Sequence, residues 1–356
     1  MPRSIAILRR QHAPLALRAA CFVSGILGGL AISGAILVCV GVTASAIVSE
    51  FVIQAFFTMQ GLAHTVLLST PLMLVGLGAA AAVKLRFWNI GIEGQLWCGA
   101  MAATGIATFD LGPDWLRLPL MLLASFAAGA AWVSIPAVFK LRYGVNEIIM
   151  TLLMTYIAFL TVQHLLFGAW QDPAMTFPVS PQLDQFERLP RLGWGKVHAG
   201  ILIALAAGVL VWMAMERSRL GFFAEAVGQN PDAARIAGIP VALTIVGAVV
   251  LSGGLAGLAG GVIVTGTEFR LTQFLGHGYT FSAIVIAFVA RSRPLQVMIA
   301  AFVLAGVYTA GESLKVFYSI SEAVVVLIEG SILFCVLISQ FFSTYHIQLV
   351  ERAPHR

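Results

Sequence analysis

Apolar residues run almost unbroken along the chain, in stretches near twenty residues long separated by short polar or glycine-rich breaks. A helix that crosses a bilayer needs about 20 such residues. On that measure ten stretches stand out: 20–48, 62–83, 92–109, 118–139, 146–168, 199–215, 241–265, 278–290, 295–311 and 321–342. The first is long enough to tilt or to continue as a juxtamembrane helix, and 278–290 is the shortest. Barrel strands alternate apolar and polar positions over about ten residues, which these runs do not. Backbone in lipid must close its own hydrogen bonds, in helices or in barrels. The pattern therefore predicts an all-α polytopic membrane protein with about ten transmembrane helices. Residues 1–19 form an amphipathic N-terminal segment, 20–342 a single membrane domain and 343–356 a tail.

Composition closes off the other classes. Of 356 residues, 59% are hydrophobic and 10% charged, against about 25% charged in a soluble domain. That excludes a soluble enzyme and a disordered chain alike. The net charge of +5 does not point to nucleic acid, because the basic residues sort by side of the membrane. With the N-terminus inside, 15 of the 21 Lys and Arg fall on cytoplasmic segments, including Arg3, Arg9, Arg10, Arg18, Lys84, Arg86, Lys140, Arg352 and Arg356. Arg117, Arg188, Arg191, Lys196, Arg270 and Lys315 fall outside. The positive-inside bias thus places both termini in the cytoplasm. About twenty residues with four arginines precede a core too long for a signal peptide, so the N-terminal stretch reads as a retained first span. Cys21, Cys39, Cys98 and Cys335 lie in apolar stretches without a CxxC pair, the pattern of small buried hydrophobes rather than of a disulfide framework or zinc site.

Polar and glycine-rich stretches interrupt this plan. Around Arg86–Gln95, Asn89, Glu93 and Gln95 alternate with Gly91 and Gly94 where a helix should be continuous. The glycines favour a broken or re-entrant backbone, tolerated at membrane depth only where it lines protein or water. A half-helix starting there would aim its N–H groups and these side chains into a cavity. An intramembrane carboxylate is functional by default, while the plainer reading has Glu93 at the interface paired with Lys84 or Arg86. Asn146 and Glu147 suit the first turn of a helix, as N-cap and as acid near the positive dipole end. Gly253, Gly257 and Gly261 share one helix face, a stripe that lets helices approach closely, inside the chain or against a partner. Residues 216–240, the longest inside segment, read as two short helices with a turn at Asn230-Pro231. That segment either waits for a cytoplasmic motor or is an ordinary solvated loop. The chain has no GxxxxGK[ST] phosphate loop and no HExxH, so neither ATP binding of that type nor metal catalysis is expected of it. Outside, 169–198 is rich in proline and acid, and 266–277 is polar.

At these residues the sequence resembles a known family. Trp88-Asn-Ile-Gly-Ile-Glu-Gly-Gln95 resembles the FNIGxEGQ signature of permease subunits of bacterial ABC importers for nucleosides and simple sugars. Asn146–Ala158 resembles that family's NEVISTxMLNYIA, and Ala226–Ile239 its AVGxNPxAARYAGI. The glycine-rich seventh stretch and Ala283–Leu295 follow in order, so the likeness runs from about residue 60 to 340. It implies a transport subunit that is not itself an enzyme, in the bacterial inner membrane. Its partners would be a second permease, a cytoplasmic ATP-binding protein carrying ATP and magnesium, and a periplasmic or lipid-anchored binding protein. No cofactor is expected on this chain. Asn89, Glu93 and Gln95 would line the translocation path. Glu225, Ala226, Gly228, Asn230, Ala233, Ala234 and Gly238 would seat in the ATPase, and 169–198 with 266–277 would face the binding protein. Departures from the pattern include Glu225 where arginine is frequent and Thr155 where asparagine is usual. Simple sugars and branched-chain amino acids are alternative substrates. An ion-coupled secondary transporter is the rival class. It would need embedded ion sites, and the acids sit mainly at span ends (Glu50, Asp110, Glu147, Glu268, Glu312, Glu322), with Glu329 inside the tenth.

Overall fold

The computed structural model describes residues 3–10, 14–275 and 278–351; His277, Arg352 and Arg356 lie outside the described residues. Contacts divide the chain into two compact units, Met1–Ala55 with Val307–Arg356, and Phe56–Gly306.

In the first unit the first and last described segments pair. Strand β1 (Arg3–Arg9) pairs antiparallel with β2 (Tyr345–Glu351), Arg3 opposite Glu351 and Arg9 opposite Tyr345. This small ribbon departs from the all-helical expectation. Helix α1 (Leu15–Cys39) packs along α13 (Glu322–Thr344). A Cβ added at Gly25 would lie 2.4 Å from Ser339 Oγ, and one at Gly29 would lie 2.6 Å from Ile332 Cα. The hydroxyls of Ser33 and Ser331 meet at 3.1 Å. The stretch expected as one span over 20–48 is interrupted. Helix α1 stops at Cys39, Gly41 turns left-handed at φ +96°, and a fresh helix begins as α2 (Ala44–Val48). It continues as a π-helical stretch, Ser49–Phe57. Glycine takes that conformation at no steric cost, and a hydropathy count does not register it.

The second unit holds α3 (Met59–Lys84), α4 (Ile92–Thr108), α5 (Asp114–Tyr143), α6 (Glu147–Leu166), α7 (Gly200–Glu216), α8 (Arg219–Gln229), α9 (Pro231–Ile236), α10 (Val241–Ile263) and α11 (Tyr279–Val289). Helix α12 (Pro294–Phe317) begins there and ends in the first unit. Helix α3 is apolar all round and buried along most of its length, as a central helix must be. Helix α10 lies against α3, α4 and α5, and glycine sets the spacing. A Cβ at Gly257 would sit 2.2 Å from the Ser125 carbonyl oxygen, and one at Gly253 would sit 2.5 Å from that of Gly129. At Gly261 it would meet Ser125 Oγ at 2.3 Å. From the facing helices, Gly99 and Gly129 approach Gly257 and Gly253 just as closely. Three backbones therefore touch without side chains between them.

All ten expected stretches are helical over most of their length. Among the described residues six helices, α3, α5, α6, α10, α12 and α13, are long and apolar enough to cross a bilayer. Helices α7 and α8, bent by 66° to one another, make a seventh if taken as one span. At 11 residues α11 is about 16 Å long, half of a hydrocarbon core of about 30 Å. Its apolar character is that of a span, and its length is that of a half-helix.

Candidate functional site

Between α3 and α4 the chain is irregular over 85–91. The turn is made at Arg86, which is left-handed at φ 55°, and not at the glycines. Gly91 and Gly94 serve another purpose, the close approach of α6. A Cβ at Gly91 would lie 2.9 Å from the Thr151 carbonyl oxygen, and one at Gly94 would lie 2.7 Å from Thr155 Cα. Asn146 caps α6 by accepting from the Ile148 N–H at 2.9 Å. Lys140 pairs with Glu147 across the loop before it.

Asn89 and Gln95 are buried and face each other. Asn89 Nδ2 donates to Gln95 Oε1 at 2.9 Å, and Gln95 Nε2 donates back to Asn89 Oδ1 at 2.8 Å. The same Asn89 amide donates to Ser252 Oγ on α10 at 3.1 Å, and its oxygen accepts the Gly91 N–H at 3.1 Å. In this conformation the pair therefore ties the start of α4 to α10. Glu93 stands one turn away and reaches elsewhere. Its Oε1 accepts the Thr280 N–H of α11 at 3.2 Å, while its own N–H donates to Thr280 Oγ1 at 3.1 Å. Neither Gly91 nor Gly278, the N-cap residues of α4 and α11, supplies a capping side chain. Each helix start thus takes its cap from the other, and one carboxylate serves two positive dipole ends. Thr280 and Ser252 were not among the residues the sequence singled out.

Lys84, one candidate partner for Glu93, is engaged with the 216–240 segment. Its Nζ donates to the Met215 carbonyl at the end of α7 at 3.1 Å and lies 3.8 Å from Glu225 Oε2. The acid at 225 thus meets a lysine of its own chain. Ser218 caps α8 at the Leu220 N–H, and Asn230 caps α9 at the Asp232 and Ala233 N–H groups. Gly238 closes α9 with φ 78°. Helix α8 buries Gly221, Ala224, Val227 and Gly228. A Cβ at Gly221 would lie 2.1 Å from the Met215 carbonyl oxygen, and one at Gly228 would lie 2.1 Å from that of Lys84. Ala234 is also buried and Ala226 half-buried, whereas Glu225, Asn230, Ala233 and Gly238 are exposed. The same two helices expose Leu220, Phe222 and Ile236, the last at 90%.

At the other end of the unit, the 169–198 connection is tied to the segment after α10. Ser180 N–H donates to the Leu271 carbonyl at 3.1 Å, Leu183 N–H to that of Phe269 at 2.8 Å and Leu189 N–H to that of Thr265 at 2.9 Å. Buried Arg117 fastens the connection to α5, with its guanidinium 3.1 Å from Glu187 and 2.8 Å from Asp110. A cavity of about 580 Å³ opens among Gln185, Arg188, Leu189, Pro190, Arg191 and Phe269. His198 is buried where α7 begins. Its Nδ1 accepts the Gly200 N–H at 3.1 Å, and its ring fills the space beside Gly200 and Gly266. Burial pushes its pKa down to about 4. An unfolded histidine titrates near 6.5, so the stability this neutral ring contributes is present above pH 6.5 and lost as pH falls towards 4. The full shift corresponds to on the order of 3 kcal/mol. His198→Phe should flatten thermal stability between pH 6.5 and 4 relative to the native chain. An unchanged pH profile in detergent melts would remove His198 as the cause.

Among the described residues, six or seven helices long and apolar enough to cross a bilayer, with two helix starts joined in the interior, define a multi-pass membrane protein. The family described as "Branched-chain amino acid transport system / permease component" matches residues 61–337, and the chain belongs to that family. It is similar to the glucose ABC transporter permease protein TsgB13 of Haloferax volcanii, 33% identical over 333 residues that cover 90% of this chain and 88% of the relative. The guanosine ABC transporter permease protein NupP of Bacillus subtilis is 31% identical over 293 residues, 79% of this chain and 80% of the relative. The nucleoside ABC transporter permease protein NupB of Lactococcus lactis is 27% identical over 263 residues, 71% and 72% of the two chains.

Proposed function

We propose that this chain is the membrane subunit of an ATP-driven importer that moves nucleosides, or related polar solutes such as simple sugars, into the cytoplasm. The observation that carries the reading is the 216–240 segment. Helix α8 rests against the ends of α3 and α7 and α9 follows it, with Phe222, Leu220 and Ile236 turned outward. Apolar side chains displayed on a polar segment suit a protein partner. A cytoplasmic ATP-binding protein, carrying the ATP and magnesium, fits the family and the absence of a phosphate loop from this sequence. The rest of the assembly follows from the same reading. It comprises ten crossings with both termini cytoplasmic in a bacterial inner membrane, a second permease subunit, and a binding protein seated on the 169–198 and 266–277 connections. Alternating access then works by population shift, with ATP-driven closure supplying the bias that the solute's own differential affinity cannot.

Labelled guanosine, inosine and glucose uptake, with and without the gene in its host, tests the reading. Uptake lost on deletion and restored by complementation is the expected result, and it should fall when ATP is depleted. Uptake that survives ATP depletion and collapses with a protonophore would replace this reading with ion-coupled transport. The partner contact has its own check. Phe222→Glu combined with Ile236→Glu should lower recovery of the ATP-binding protein with the purified permease by about tenfold or more, the effect expected for losing buried apolar anchors. Undiminished co-purification would show that this face is not the contact.

A further inference from the structure

Glu50 falls near the end of the first apolar stretch in sequence, where water would satisfy it. The structure moves it to the middle of an apolar helix. Helix α2 runs on into the π-helical stretch to give a continuous apolar segment, Ala44–Phe57, with Glu50 at its centre. The side chain is 6% exposed, beside buried Phe51 and Ala55. Its Oε2 has no hydrogen-bond partner among the described residues. The other buried side-chain atom in that condition is Arg117 Nε, on a guanidinium already held by three carboxylates.

A carboxylate oxygen buried without a partner is costly in protein and more so in lipid, and π-helical segments in α-helices occur frequently at functional sites. An acceptor left open in one conformation is suited to a donor that arrives in another. A metal ion would call for several converging ligands, and among the described residues no group of three or more His, Cys, Asp or Glu could hold one. A single acceptor oxygen matches a hydroxyl or N–H group. We infer that Glu50 is a solute-contacting residue, its free oxygen accepting a hydrogen bond from an O–H or N–H of the transported polar solute. This rests on the importer reading above.

The test uses the complete transporter in its host membrane, with labelled guanosine and glucose as probes. Glu50→Leu removes the unmet oxygen, and Glu50→Gln keeps the shape while replacing one carboxyl oxygen with an amide nitrogen. The expected result is that both variants reach wild-type levels in the membrane and melt no lower than wild type. Glu50→Leu should lose at least nine-tenths of uptake, and Glu50→Gln should show a KM raised several-fold with little change in the maximal rate. Wild-type uptake by both variants would overturn the assignment alone. No uptake of either probe by the wild-type transporter would overturn the importer reading and this assignment together. Disappearance of both variants from the membrane would make Glu50 a structural residue and equally overturn the assignment.

Discussion

Gly257→Val should remove the folded protein from the membrane, while Gly247→Val, ten residues earlier on the same helix α10, should leave it in place. The contrast isolates packing from helix propensity, because both changes put the same β-branched residue into one helix. At Gly257 the new Cβ would lie 2.2 Å from the Ser125 carbonyl oxygen and 2.9 Å from Gly129 Cα. Those atoms belong to the α5 backbone and cannot swing aside. On α4, Gly99 would already place a Cβ 2.0 Å from the Gly257 oxygen, so α10 has no free side to move towards. Overpacking a core costs about 1–3 kcal/mol when side chains can adjust. Here three helices would have to separate, and the loss extends to the whole interface. At Gly247 an added Cβ meets nothing within 4 Å. Size-exclusion yield and melting temperature in detergent read both variants. A monodisperse Gly257→Val protein with a wild-type melt would mean that the seam is looser than these distances require.

The second large effect is expected at Glu93. Glu93→Ala should cut uptake by about tenfold or more with the protein still present, the consequence of losing a hydrogen bond to a charged group, worth about 1.5–3 kcal/mol. Thr280→Val should cause a similar loss, because it removes the hydroxyl that accepts the Glu93 N–H. The two changes together should cost little more than either alone, since the residues act as one reciprocal cap. Glu93→Gln keeps an acceptor for the Thr280 N–H and should retain more uptake than Glu93→Ala. Fully additive losses, or normal uptake by Glu93→Ala, would break the claim that these two helix starts work as a unit. Bulky residues at Gly228 or Ala234 make a poor test of ATPase coupling. Both positions are buried, and Gly228 rests on the Lys84 carbonyl, so damage there would report on folding.

Local chemistry made much of this legible in advance. Apolar run length located ten stretches that are helical over most of their length, and the Asn146 cap and the turn at Asn230-Pro231 marked helix starts that the structure bears out. The polar island at 86–95 stood out because amides and an acid are rare inside apolar chain. What sequence could not convey was partnership across distance. Asn89 finds Ser252 163 positions away, and Glu93 finds Thr280 187 positions away. No periodicity encodes such pairs. The glycines were misjudged for a related reason. Gly91 and Gly94 read as freedom for the backbone, yet they serve as clearance for α6, and the left-handed turn falls on Arg86. Clearance depends on a neighbour that the local sequence does not name. Likewise, the pairing of β1 with β2 joins the first and last described segments, and nothing in either signals the other.

The bare contact between α8 and the end of α3 has a mechanical consequence. Gly228 lies directly on the Lys84 carbonyl, and Lys84 itself reaches over to Met215 and Glu225. Side-chain contacts absorb small displacements by changing rotamer, as play in a gear train absorbs the first part of a turn. Backbone against backbone has no such play. A push on α8 therefore passes without backlash to the end of α3. Five residues further on stands Asn89, whose amide is fastened to α10.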